Sequence, residues 1–258
     1  NLLDVDAAVS LLSEFLDPTF VVIKHNNACG LASRDHLTQA WKDALAGDPV
    51  SAFGGVLAAN RCVDLECALA IDQIFYEVLI APDFSAEAVE LLSRKKNRIL
   101  LRLKSIPPSG IQVRSVLGGY LVQDPDSVTE STEDFKVVTR VAPQPSEIED
   151  MVFALKIVKH TRSNAIVLVR NRQLIGSGTG QSSRIDAMRQ AAHKARTFDF
   201  DVQGAVMASD AFFPFADSVE VAFQEGIRAV VQPGGSVKDQ DSIDFCDRNN
   251  MAMVMTGR

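Results

Sequence analysis

The stretch FVVIKHNNACGLA, Phe20 to Ala32, decides the fold. Phe20-Val21-Val22-Ile23 is an apolar run rich in β-branched residues and predicts a strand. It delivers Lys24 and His25 into a polar, Gly-containing turn. In α/β proteins a strand that ends on a cation and an imidazole presents them to a crevice where ligands bind. Packing alone requires no Lys-His pair there, although such a dipeptide at a strand end ordinarily just faces solvent.

Upstream, Asp4 to Leu16 places Val5, Val9, Leu12 and Leu16 at helical spacing and stops before Asp17-Pro18. Downstream, Ser33 is placed to cap a helix running from His36 to Ala46 that ends in Gly47-Asp48-Pro49. The pattern then predicts a strand over Val56–Ala59 opened by Gly54-Gly55, a helix from Asp64, a strand over Glu77–Ala81, a helix over Ser85–Lys96 and a strand over Ile99–Leu103. Pro107-Pro108-Ser109-Gly110 marks a loop, and β-type patches follow between residues 111 and 142.

The segment Ala142 to Ser146, with two prolines, is the candidate boundary between lobes 1–141 and 142–258. Beyond it come a helix over Ser146–His160, with Ser146 and Glu149 spaced as a capping box, and strands over Ala165–Val169 and Gln173–Ile175 joined by an Asn171-Arg172 turn. A helix over Ser183–Phe198, a strand at Gly204–Ala208, a helix at Ser218–Glu225, a strand at Ala229–Gln232, a helix at Asp239–Asn249 and a strand at Ala252–Met255 complete the chain. GGVLAAN and VLIAP in the first half echo GAVMASD and AVVQP in the second, with spacings that differ by two residues. Duplication of one α/β unit is the economical explanation, and two such lobes would frame a cleft.

The chain has 258 residues and is 47% hydrophobic, enough for a continuous core. With 33 acidic against 26 basic side chains the net charge is -7, which argues against a nucleic-acid surface. Cys29, Cys62, Cys67 and Cys246 form no CxxC pair and no zinc-type spacing with His25, His36, His160 or His193, so free thiols, no metal and a reducing, cytoplasmic setting are expected. No apolar run approaches the roughly 18 residues of a membrane span. Beginning on Asn1 and ending on Arg258, the sequence reads as a piece of something longer.

Several residues point to chemistry. Asn164, at a strand start in the second lobe, carries a carboxamide that can donate and accept at once. Gly176 to Arg184, GSGTGQSSR, is neither a dinucleotide fingerprint nor a Walker loop. It reads either as a flexible hairpin exit or as a glycine-rich turn feeding a helix with Arg184 in its first turn, suited to a carboxylate or phosphate. Phe212, Phe213 and Phe215 read as core or as a wall for a flat ring, with Asp217 accepting from ring nitrogens. Gln232 to Val237 is a turn or a backbone clamp on a ligand.

Taken together and in order, KHNNACG, DPVSAFGG, KHTRSNAI, GQSSRID, SDAFFPFAD and QPGGSVKD closely resemble the aminoimidazole carboxamide ribonucleotide (AICAR) formyltransferase family, which is fused in the full protein to an inosine monophosphate cyclohydrolase. The likeness runs from Asn1 to Arg258. It implies two cytidine-deaminase-like three-layer α/β/α lobes without the zinc, and a homodimer with active sites at the subunit interface. The reaction it implies is transfer of a formyl group from 10-formyltetrahydrofolate to the exocyclic 5-amine of AICAR.

Carried over, His25 is the proton acceptor, Lys24 stabilises developing charge and Asn164 holds the substrate carboxamide. Gly54 and Glu77 match nucleotide-site positions, and Arg184, Ile185, Phe212, Asp217 and Val237 match the combined nucleotide and folate site. Ala28 stands where the motif usually has Pro, and Ala216 where Arg is usual. An Arg-Tyr-Gly segment is expected upstream of Asn1, and an Arg-x-Phe-x-His segment at or beyond Arg258. Two other readings compete: a fragment that only binds nucleotide or folate or dimerises, and a deaminase-like hydrolase, which the missing His/Cys spacing disfavours.

Overall fold

The apolar run at 20–23 becomes a central strand because both of its faces find a helix layer. In the computed structural model, which describes residues 1–105 and 110–258, the chain forms α1 (Leu2–Leu12), β1 (Thr19–Lys24), β2 (Asn27–Ser33), α2 (Leu37–Gly47), α3 (Pro49–Ala52), β3 (Gly55–Ala59), α4 (Leu65–Ile71), β4 (Tyr76–Ala81), α5 (Ala86–Leu92) and β5 (Ile99–Arg102). It continues with β6 (Gln112–Val116), β7 (Gly119–Gln123), β8 (Lys136–Val137), α6 (Pro145–Lys159), β9 (Ile166–Arg170), β10 (Gln173–Gly178), α7 (Arg184–Thr197), β11 (Val206–Ser209), α8 (Asp217–Glu225), β12 (Ala229–Gln232), α9 (Asp239–Arg248) and β13 (Ala252–Met255). The Pro107–Ser109 part of the expected loop lies outside the described residues.

One 11-stranded mixed sheet runs in the order β5-β4-β3-β1-β2-β10-β9-β11-β12-β13-β8. Helices flank both faces. Val21 and Ile23 point into a core shared with α1 and α6 that continues to Val254. Phe20 and Val22 point the other way, against Trp41 and α4 and α5, while Leu168, Met207 and Val230 meet α7, α8 and α9 on that same face. Each half contains an antiparallel hairpin (β1-β2, β9-β10), a third strand antiparallel to its first strand (β3, β11), and parallel strands beyond (β4-β5, β12-β13).

Residues 25–32 correct the sequence reading. The turn is only His25-Asn26, both at positive φ, and Asn27–Ser33 returns as a buried strand. Gly30 is there for close packing: a Cβ would lie 2.0 Å from Ala44 O of α2, and Gly176 on β10 stands in the same relation to Ala191 O of α7 at 2.3 Å. Ser33 caps no helix. It ends β2 with its hydroxyl 2.6 Å from Thr19 Oγ1, and α2 starts after His36. The capping box of α6 is Gln144 with Glu147, two residues earlier than Ser146 with Glu149, because Pro145 at the first helical position fixes the start.

The halves meet at β2 and β10, whose register pairs only Gln173 with Ala32, at the end near Ser33. Arg34 fastens that end. Its guanidinium donates to Asn171 O (2.7 Å), Arg172 O (3.3 Å), Ser33 O (2.7 Å), Gln173 Oε1 (3.1 Å) and Asp43 Oδ2 (2.5 Å). Ser33 N donates to Arg172 O (3.0 Å) and Asp150 receives the amides of Asn171 and Arg172 (2.8 and 2.7 Å). Toward the other end the strands part, because α2 ends over the gap. A Cβ on Gly47 would sit 2.9 Å from Leu174 O and 3.3 Å from Cys29 O.

A second tie joins α1 to α6. Glu14 lies 2.9 Å from both His160 Nε2 and Lys159 Nζ and accepts from Thr129 Oγ1 at 2.7 Å. Burial opposes its ionisation, but the hydrogen bonds from His160, Thr129 and Lys159 outweigh that cost and hold its pKa at about 2 against an ordinary 4.5. The folded-state value is the lower one, so this stabilisation is complete above pH 4.5 and is lost as pH falls toward 2.

Two stability outcomes follow, both read by chemical denaturation. Arg34→Ala should lower the unfolding free energy by about 2–4 kcal/mol, since it strands partly buried acceptors; a change under about 0.5 kcal/mol would refute the clamp. The stability gap between wild type and Glu14→Gln should shrink by roughly 2–3 kcal/mol as pH drops from 4.5 to 2, whereas a constant gap would contradict the assignment.

Candidate functional site

Strand directions put every sequence-nominated residue on one edge of the sheet. Because β1 runs antiparallel to β3 and β9 antiparallel to β11, the carboxyl ends of β1, β10, β11 and β12 share an edge with the amino ends of β2, β3, β4 and β9. Lys24 and His25 close β1, Gly54 precedes β3, Glu77 lies at the start of β4, Asn164 precedes β9, Arg184 and Ile185 open α7 after β10, Phe212 and Asp217 follow β11, and Val237 follows β12. Arg34 and its partners occupy the opposite edge.

Where β2 and β10 part, a cavity of about 250 Å³ opens. Lys24, His25, Asn27 and Cys29 line one wall, Gly176, Ser177 and Thr179 another, with Asp48 and Lys194 also in the lining. The Lys24 ammonium donates to Phe53 O (2.9 Å) and Gly54 O (3.1 Å). Gly54 makes this possible by adopting φ +65 and donating its amide to Phe75 O at 2.8 Å. The exposed Phe53 ring leans on Phe75, centroids 5.5 Å apart and the planes tilted by 52°, giving an apolar surface beside Lys24. The His25 turn is pinned to α1, whose Asp4 accepts from Asn26 N at 2.7 Å, and His25 O accepts from Asn27 Nδ2 at 2.9 Å.

The second group of residues meets the first where Arg162 N donates to Asn27 Oδ1 at 3.1 Å. Asn164 sits two residues on and donates its amide nitrogen to Gln181 O at 2.9 Å, so part of its hydrogen-bonding capacity is already used. Arg184 is buried and committed within the chain: Nη1 meets Asp210 Oδ1 at 2.5 Å and Nε donates to Phe212 O at 3.2 Å. Asp210 also receives Ala165 N at 2.9 Å, which locks the loops before β9 and after β11 to the start of α7. Asp217 opens α8 and accepts from Ser218 N at 2.7 Å. Val237 is 101% exposed.

Two expectations change. Gly176 and Gly178 belong to β10, where α7 packs too closely for any side chain; a Cβ on Gly178 would be 1.8 Å from Ala187 O. They are packing glycines, and only Gly180, at φ +63, forms a loop. Of the three phenylalanines, Phe213 is fully buried in the core while Phe212 and Phe215 remain exposed, so a ring wall here has two members. Sequence reading also missed Asp48, Ser51, Cys29 and Lys194 in the cavity. Asp48, Ser51 and Phe53 lie inside DPVSAFGG, a signal that was available; Lys194, on an amphipathic helix, carried none.

The Cys29 thiol is pushed up to about 12, first by burial and then by the nearby Asp48 charge, so it is protonated and unreactive. Iodoacetamide at pH 8, mapped by mass spectrometry, should therefore modify the exposed Cys62 and leave Cys29 untouched in the folded chain. Equal modification of the two would contradict this.

With this geometry in hand, similarity to known proteins is informative. A family model described as AICARFT/IMPCHase bienzyme matches residues 1–194. The chain is 57% identical over 257 residues to the bifunctional purine biosynthesis protein PurH of Bacteroides thetaiotaomicron, covering 100% of this chain and 51% of that protein. It is 49% identical over 259 residues to the PurH protein of Caldicellulosiruptor saccharolyticus and 48% over 258 residues to that of Aquifex aeolicus, in both cases covering 100% of this chain and 50% of the relative. The chain thus spans about half the length of the curated relatives it matches. It belongs to the AICARFT/IMPCHase bienzyme family.

Proposed function

We propose that this chain carries the formyltransferase chemistry of purine biosynthesis in the cytoplasm: transfer of a formyl group from 10-formyltetrahydrofolate to the 5-amine of AICAR, giving the formamide FAICAR. The observation that carries the reading is the juxtaposition of a fixed ammonium, Lys24, with the His25 imidazole at the mouth of a cavity, on the same sheet edge as Asn164, Phe212 and Asp217. The 5-amine is a poor nucleophile because its lone pair is delocalised into the imidazole ring. As its nitrogen bonds to the formyl carbon, His25 takes the amine proton and Lys24 offsets the charge on the formyl oxygen. The bond to the folate nitrogen then breaks, that nitrogen takes up the proton His25 removed, and tetrahydrofolate leaves. No step calls for a metal, a nucleic acid or a membrane.

Asn164 holds the carboxamide, and Gly54 and Glu77 border the nucleotide. Arg184, Ile185, Phe212, Asp217 and Val237, with the exposed Phe53 ring, border the combined nucleotide and folate site. A homodimer with interface active sites accounts for two features of the single chain: Val237 and Phe215 stand uncovered, and hairpin β6-β7 exposes Ile111, Val113, Leu117, Tyr120, Leu121 and Val122 with all its residues exposed. The repeated strand order supports an origin in two cytidine-deaminase-like lobes, 1–141 and 142–258, although β8 of the connecting segment pairs with β13.

Because the chain spans about half of its relatives, binding without turnover is the competing reading. Calorimetric titration with AICAR and a folate analogue, followed by a formyl-transfer assay, separates the two. In active protein, His25→Ala should lower kcat by about 10²-fold or more with the KM for AICAR little changed; undiminished turnover would remove His25 from the role of base.

A further inference from the structure

The Lys24 ammonium has no acidic partner among the described residues; its hydrogen bonds go only to Phe53 O and Gly54 O. Those carbonyls directly follow α3, so the position of the charge is set by whatever holds α3. At the amino end of α3, Asp48 accepts from Ser51 N at 2.8 Å and Ser51 Oγ at 2.7 Å. Its second oxygen also meets Lys194 Nζ at 2.5 Å. Asp48 is 5% exposed, and Lys194 comes from α7 in the other half of the chain.

We propose that Lys194 is a positioning residue: through its ion pair with Asp48 it holds α3, and thereby the Phe53 and Gly54 carbonyls, in the place that fixes the Lys24 ammonium at the cavity mouth. A buried carboxylate that loses its cation keeps only neutral donors and moves toward water. Movement of Asp48 shifts α3, and the two carbonyls follow. The Asp48 carboxyl is held below the ordinary range: burial opposes ionisation, but the bonds from Lys194 and Ser51 prevail, as expected of a working ion pair. The device also makes the Lys24 site depend on the second half, although both Lys24 and α3 belong to the first.

The catalytic consequence rests on the formyl-transfer reading, whereas the coupling itself does not. The test measures the acetylation rate of Lys24 by limiting acetic anhydride with mass-spectrometric mapping, in wild type, Lys194→Met, Lys194→Arg and Asp48→Asn. Asparagine still caps α3, so Asp48→Asn removes the ion pair alone. Labelling of Lys24 should rise at least fivefold in Lys194→Met and Asp48→Asn, at unchanged circular dichroism, and stay within twofold of wild type in Lys194→Arg. A wild-type labelling rate in a folded Asp48→Asn or Lys194→Met protein would overturn the proposal. In the formyl-transfer assay the same two variants should lose about tenfold in kcat with KM for AICAR within threefold. Absence of turnover in wild type would count against the proposed reaction, while the labelling rates would still decide the coupling.

Discussion

The guanidinium of Arg34 is the constraint on which the rest of the structure depends. One planar group from the first half satisfies two carbonyls of the Asn171-Arg172 turn and the Gln173 side chain of the second half, and anchors itself on Asp43. Those contacts close one end of the junction between β2 and β10, and the end of α2 at Gly47 holds the other end open. A continuous sheet with a wedge-shaped gap is the result. The cavity is therefore a consequence of topology.

That asymmetry explains why the polar side chains divide as they do. On the closed edge Arg34, Asp150, Asp43 and the turn amides spend their hydrogen bonds on one another. On the open edge the Lys24 ammonium is supported, among the described residues, by the Phe53 and Gly54 carbonyls, and the His25 imidazole lines the cavity. Arg184, although on the open edge, is spent on Asp210 and Phe212 O, so it shapes the site by locking loops. A charge fixed by neutral acceptors and left otherwise unpaired can respond to charge that develops in a reaction, which is what formyl transfer to a weakly nucleophilic amine demands.

Much of this was legible in the sequence, for reasons that can be named. Val21, Val22 and Ile23 form a run that only a doubly covered strand accommodates, and the GGVLAAN/GAVMASD echo matches strands β3 and β11, which occupy equivalent places in the order. What escaped depends on contacts distant in sequence. The polar and small residues of NNACG disguise β2, because Gly30 answers to the backbone of α2 rather than to a turn. Gly176 and Gly178 misled in the same way. Ser33 and Ser146 had the chemistry of caps but the wrong place, since Pro145 moved one helix start and pairing with Thr19 claimed the other serine. Phe213 could not be told from Phe212 without knowing which ring faces the core. Lys194 was invisible, since its partner lies on a different element 146 residues away.

Amide chemical-shift mapping during titration with AICAR probes the division between a closed and an open edge most directly. Shifts at Asn27, Gly54, Gln181 and their neighbours, with Ser33, Asn171 and Arg172 unmoved, are the outcome the proposed formyl-transfer site predicts. Perturbation centred on the Arg34 edge, with the Lys24 edge silent, would contradict it.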